Sequence, residues 1–169
     1  MRLAPLDLVV ALRLLQGDAT FQRLADELGV APSQVHLSVE RLRLAQLLRP
    51  DSRRVNRLAL EEFLVHGARY AFPPVVSAPA RGVPTAHAAS FLAHTFGATD
   101  PCVWPSPVGD VVGQSLEPLY AGAPKLRERS PETYRLLTLF DMLRVGQARE
   151  RSVARELLKQ ALKSPSVAA

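Results

Sequence analysis

The chain has 169 residues, 47% of them hydrophobic and 22% charged, which is close to the average for folded globular proteins and excludes wholesale disorder. Its formal charge of +5 is uneven: residues 1–70 carry ten Arg, no Lys and a net +2, residues 71–124 carry −2, and residues 125–169 carry +5. Basic ends suit a polyanionic partner, but they suit a solvated surface equally well, so charge alone selects neither.

Residues 5–16 come first, with apolar Leu6, Val9, Val10, Leu12, Leu14 and Leu15 at broadly helical spacing. Asp7 and Arg13 interrupt the run, which predicts an amphipathic first helix rather than a signal peptide. Gly17-Asp18 closes it. A second helix begins at Thr20, a good N-cap, and ends before Gly29, with Leu24, Ala25 and Leu28 inward. A third begins at Pro32, a favoured first helical position, and runs to about Ala45 with Val35, Val39 and Leu42 on its inner face. Only Gly29, Val30 and Ala31 separate the two. So short a turn forces the helices to cross steeply, as in a helix-turn-helix.

Leu47-Leu48-Arg49, a polar turn at residues 50–53 and Arg54-Val55 predict a small hairpin. Asn56 then caps a helix reaching about Tyr70. Residues 71–124 hold nine of the fourteen prolines and no long helical pattern, so they read as a linker or a small irregular subdomain. Within them a short helix over 85–95 and a weak hairpin over 103–119 are expected. Ser130-Pro131 starts a helix that is apolar on several sides, Gly146 breaks it, and a last helix over 147–162 carries Ala154, Leu157, Leu158, Ala161 and Leu162 as one stripe. That stripe needs a cover, either the preceding helix or a second subunit. The expected fold is therefore mainly α with a small β wing, divided at 1–70, 71–124 and 125–169.

Residues 20–49, TFQRLADELGVAPSQVHLSVERLRLAQLLR, resemble the DNA-binding core of winged-helix regulators of the MarR-like kind. LADELGV matches the first helix and turn, PSQV the opening of the recognition helix, and the LxxAxLL-like exit leads into the wing. The match covers about 50 residues; the rest of the chain does not follow that family. Ala31 stands where such proteins carry a Ser or Thr cap, and Gln46 where they carry a Gly.

The resemblance implies a third helix in the major groove of double-stranded DNA, presenting Ser33, Gln34, His36, Leu37, Glu40 and Arg41. Gln34 can pair with an adenine edge, Arg41 with guanine or phosphate, and Leu37 with a thymine methyl. Thr20 meets a phosphate at the start of the second helix, and Arg49, Arg53 and Arg54 reach the backbone or minor groove from the wing. Glu40 can pair with Arg43.

Other chemistries lack a signature. His36, His66, His87 and His94 do not fall at metal-ligand spacings, and Cys102 has no partner cysteine, so no metal or cofactor is expected. The lone cysteine suits a reducing cytoplasm. No nucleophile elbow or phosphate-binding Gly loop occurs, and no enzyme is expected. No stretch is long enough to span a membrane. A transcriptional regulator, in repressor form and as a homodimer, is the leading expectation. The alternative is an antitoxin-like or adaptor protein that binds a protein partner through its C-terminal helices.

Overall fold

The computed structural model describes residues 1–97 and 99–164; residues 98 and 165–169, within the expected middle and C-terminal regions, lie outside them. Helix α1 (Pro5–Leu14) is followed by α2 (Phe21–Leu28) and α3 (Pro32–Leu44). Every residue of the run 7–15 is buried, including Asp7 and Arg13. The first helix is therefore not amphipathic, as its sequence suggests, but enclosed. It packs on α3 on one side and on the later helix α8 (Pro131–Val145) on the other. Its two charges are matched inside: Asp7 takes a bidentate bond from Arg41, and Arg13 bonds Glu27.

Thr20 caps α2 by accepting the Arg23 N–H at 3.1 Å, and Gly29 ends it in the left-handed conformation at φ +68°. Ala31, which has no side-chain acceptor, is served from the other direction: Gln34 Oε1 accepts the Ala31 N–H at 3.0 Å. At the exit of α3, Gln46 adopts φ +59°, a left-handed conformation that glycine takes up without strain.

The hairpin expected over 47–55 is small. Leu48 and Val55 form one antiparallel bridge, supported by Arg49 N–H to Arg54 C=O and Asn56 N–H to Leu47 C=O, both 2.9 Å. Asn56 caps the next helix through the Ala59 N–H; α4 (Arg57–Glu62), a π-helical turn (Phe63–Gly67) and α5 (Ala68–Ala71) follow one another without a break.

Residues 71–124 contain a sheet, not a hairpin over 103–119. Strand β1 (Val76–Thr85) pairs antiparallel with β2 (Cys102–Pro105) through its second half and with β3 (Val111–Leu116) through its first. β2 and β3 touch each other in parallel over two residues, which closes the three strands on themselves. The expected helix over 85–95 is broken into two 3₁₀ turns and the short α6 (Ala93–Phe96). A Cβ at residue 82 would collide with the Trp104 carbonyl, so only glycine lets β1 and β2 close there.

The short α7 (Leu126–Arg129) leads into α8, and Gly146 separates α8 from α9 (Ala148–Lys163). Ser130 stands at the N-cap of α8, but its hydroxyl bonds the Thr133 hydroxyl at 2.7 Å rather than a backbone N–H. The stripe of α9 buries Ala154, Leu158 and Leu162 against α8 and α4. Its cover is thus within the chain. One apolar core runs through all of these parts, from Leu8 and Leu42 through Trp104 and Leu116 to Phe140 and Leu158. The molecule is mainly helical with one small three-stranded sheet. Among the described residues no helix is long and apolar enough to cross a membrane.

Candidate nucleic-acid interface

The inner residues of α3 decide which others remain outside. Val35, Ser38, Val39 and Leu42 are buried at the three- and four-residue spacing of one helix face. Ser33, Gln34, His36 and Leu37 are left exposed on the opposite side, Leu37 by 49%. Leu44 and Leu58 are more exposed still, at 68% and 83%, so it is the position of Leu37 among Ser33, Gln34 and His36, not its exposure, that makes it a candidate contact.

The nine residues expected to contact DNA do not share one fate. Gln34 spends its carbonyl oxygen on the Ala31 cap, which fixes the side chain and leaves its amide N–H groups outward. His36 is exposed, and its ring lies 5.4 Å from that of Phe21. Thr20 uses its oxygen as the α2 cap, which keeps its hydroxyl hydrogen as the group it can offer. Arg49 and Arg54 are exposed and enter no ion pair among the described residues.

Arg53 is held. It donates to Asp18 at 2.7 and 3.1 Å, and its guanidinium sits 4.8 Å over the Phe21 ring. Phe21 therefore links the tip of the hairpin to α3, with Arg53 on one side and His36 beside it.

Arg41 departs furthest from its expected role. Its Nε and Nη2 donate to the two oxygens of Asp7, each at 2.7 Å, and its side chain is only 19% exposed. Asp7 lies under α3 with 1% of its side chain exposed. With its Nε and Nη2 donors given to a buried carboxylate, the guanidinium is turned toward α1, and only Nη1 is without a partner among the described residues. Arg41 fastens α3 to α1. Glu40, one residue before it, pairs with Arg43 at 2.7 Å.

Two basic residues near this surface have no place in the sequence-based set. Arg23, 66% exposed, projects from the first turn of α2 and bonds Glu27 at 3.0 Å. Burial raises the Glu27 carboxyl, but the hydrogen bonds from Arg13 and Arg23 outweigh it and hold its pKa below the usual value. Arg129, about a hundred residues away in the chain, approaches Gly29 in the turn between α2 and α3. Only the basic excess of residues 125–169 hints at it, because nothing local in a sequence reports so distant a contact.

Among the described residues no three His, Cys, Asp or Glu side chains gather as they would around a metal ion. Cys102 is buried at the start of β2, and burial, followed by the Asp141 charge, pushes its thiol up to about 12. Such a thiol is not a nucleophile near neutrality. Comparison of the chain with protein-family models, with curated proteins and with solved structures gives no match.

Proposed function

We propose that the chain binds double-stranded DNA in a sequence-dependent way and acts as a transcriptional regulator, using α1–α3 and the 47–55 hairpin as a winged helix-turn-helix. The observation that carries this reading is the open face of α3. Ser33, Gln34, His36 and Leu37 stand out from a helix set at a three-residue turn, with the unpaired Arg49 and Arg54 beside it on the hairpin. In this arrangement α3 enters the major groove, Gln34 offers its amide N–H groups to base-edge acceptors, and Leu37 meets a thymine methyl. Arg49 and Arg54 contact the sugar-phosphate backbone and set register, not sequence.

The test is selection of bound fragments from source DNA, followed by titration of the enriched site in varied salt. Gln34→Ala is expected to lose about 1–3 kcal/mol of discrimination at one base position. Arg49→Ala and Arg54→Ala should weaken specific and non-specific duplex equally. Absence of any salt-sensitive binding by the intact protein defeats the reading. Two protected half-sites about 34 Å apart would assign a pair of chains to each operator, and a single protected half-site one chain.

A further inference from the structure

We infer that Lys125 and Arg129 form a second contact patch for the phosphates of duplex DNA, beside the turn between α2 and α3. The C-terminal half of the chain then takes part in DNA binding directly. This rests on the reading of α3 as the helix that enters the groove.

Three observations converge on the patch. First, Arg129 lies against the turn: a Cβ at residue 29 would stand 2.8 Å from its Nη1, and glycine there leaves the guanidinium its room. Second, the segment that carries it is seated firmly. α7 packs on α2, and a Cβ at residue 122 would fall 2.8 Å from the Leu28 carbonyl oxygen, so the 120–129 stretch is pressed onto the end of α2. Third, Lys125 and Arg129 are both exposed, and neither enters a hydrogen bond or ion pair among the described residues. Their neighbour Arg127 is different, being bonded to Asp110 at 3.0 Å. Two cations are thus held on an ordered support without an ion pair, beside one exposed acid, Glu128, that bonds neither of them.

Their position gives them their target. Pro32 and Ser33 open α3 a few residues after Gly29, and these first residues of the helix are the ones that go deepest into a major groove. The strands bordering that groove then run past the turn, where an unpaired guanidinium and an ammonium meet phosphate oxygens. A purely structural role for Arg129 would be to complement the C-terminal end of α2. That role predicts lower stability on its removal, with no change in how DNA binding responds to salt.

The experiment compares the intact protein with Arg129→Gln, Lys125→Gln/Arg129→Gln, Arg129→Lys and, on the start of α9, Arg149→Gln as a control for net charge. Each is titrated with the enriched duplex and with a scrambled duplex at several salt concentrations, after thermal melting confirms the fold. Arg129→Gln is expected to weaken both duplexes about fivefold at 0.15 M salt and to lower the salt slope by about one unit. The double variant lowers it by about two, while Arg129→Lys and Arg149→Gln keep the wild-type slope. A wild-type protein that binds, with Arg129→Gln of unchanged slope or Arg149→Gln equally weakened, overturns the patch and leaves α3 as the DNA contact. A wild-type protein that binds neither duplex overturns the DNA-binding reading and the patch with it.

Discussion

Arg41 and Gln34 stand two turns apart on α3 and do opposite things. Gln34 bonds its own helix start and keeps its N–H groups outside, whereas Arg41 reaches inward to a carboxylate shielded from water. Asp7 also accepts the Ala4 N–H at 2.7 Å, so its oxygens are well supplied with donors. Removing one partner of such a pair leaves an uncompensated buried charge, at a cost of about 3–5 kcal/mol. Replacing both with apolar residues of similar size avoids that cost. Arg41→Ala should therefore lower the unfolding free energy by that amount, seen as a lower denaturant midpoint, and Asp7→Leu/Arg41→Met should recover most of the loss. Equilibrium urea unfolding reads both. An Arg41→Ala protein as stable as wild type, with altered base preference, would return Arg41 to the interface. Gln46 makes a smaller local point: at φ +59° it carries about 1–2 kcal/mol of strain that a glycine would not.

Between elements, the strongest tie is a buried polar cluster joining the sheet to α8. Asp141 accepts from Thr85 at 2.6 Å and from Trp104 Nε1 at 2.7 Å, both on Oδ2, while Arg144 donates to Oδ1 at 2.6 and 3.1 Å. Tyr134, on the same helix, donates to the Pro84 carbonyl at 2.6 Å, and its ring packs edge-on to Trp104. One carboxylate thus gathers β1, β2 and α8. Asp141→Asn keeps the shape but strips the charge that Arg144 needs, and about 3–5 kcal/mol of stability should go with it. Near-ultraviolet circular dichroism of Trp104 and chemical denaturation report this together. A variant within ~1 kcal/mol of wild type would mean that the cluster is incidental. These ties also explain which elements were legible beforehand. The helices announce themselves through local marks: Thr20 and Asn56 as caps, Gly29 and Gly146 as stops, and Pro5, Pro32 and Pro131 as starts. The sheet has no such marks. β1 is exposed along its first half and buried along its second, so it shows no alternation, and Pro79 and Pro84 argue against a strand. Its partners lie far along the chain, from Thr85 paired with Cys102 to Val76 paired with Leu116. The same distance hides Asp7 from Arg41 and Gly29 from Arg129, which is why the candidate interface was legible along α3 but not in its anchoring or its flank.

At the scale of the molecule, the division at residue 70 does not correspond to a break in the core. α1 is covered by α3 from within the N-terminal segment and by α8 from outside it. Gln16 donates to Thr133 at 2.7 Å, and Arg57 donates to the Leu162 carbonyl at 2.6 Å, so polar ties cross the same boundary. Without residues 73–164, the α8-facing side of α1 would present Leu, Val and Ala side chains to water. At about 25 cal/mol per Å² of apolar surface, uncovering a few such side chains removes several kcal/mol, comparable with the whole stability of a small domain. A fragment of residues 1–72 is therefore expected not to fold cooperatively, although it holds the complete helix-turn-helix and hairpin. The intact chain should unfold in one transition by far- and near-ultraviolet circular dichroism alike. A 1–72 fragment with a sigmoidal melt and wild-type DNA affinity would show instead that the C-terminal half is an appendage, and would weigh against any part for Arg129 at the DNA surface.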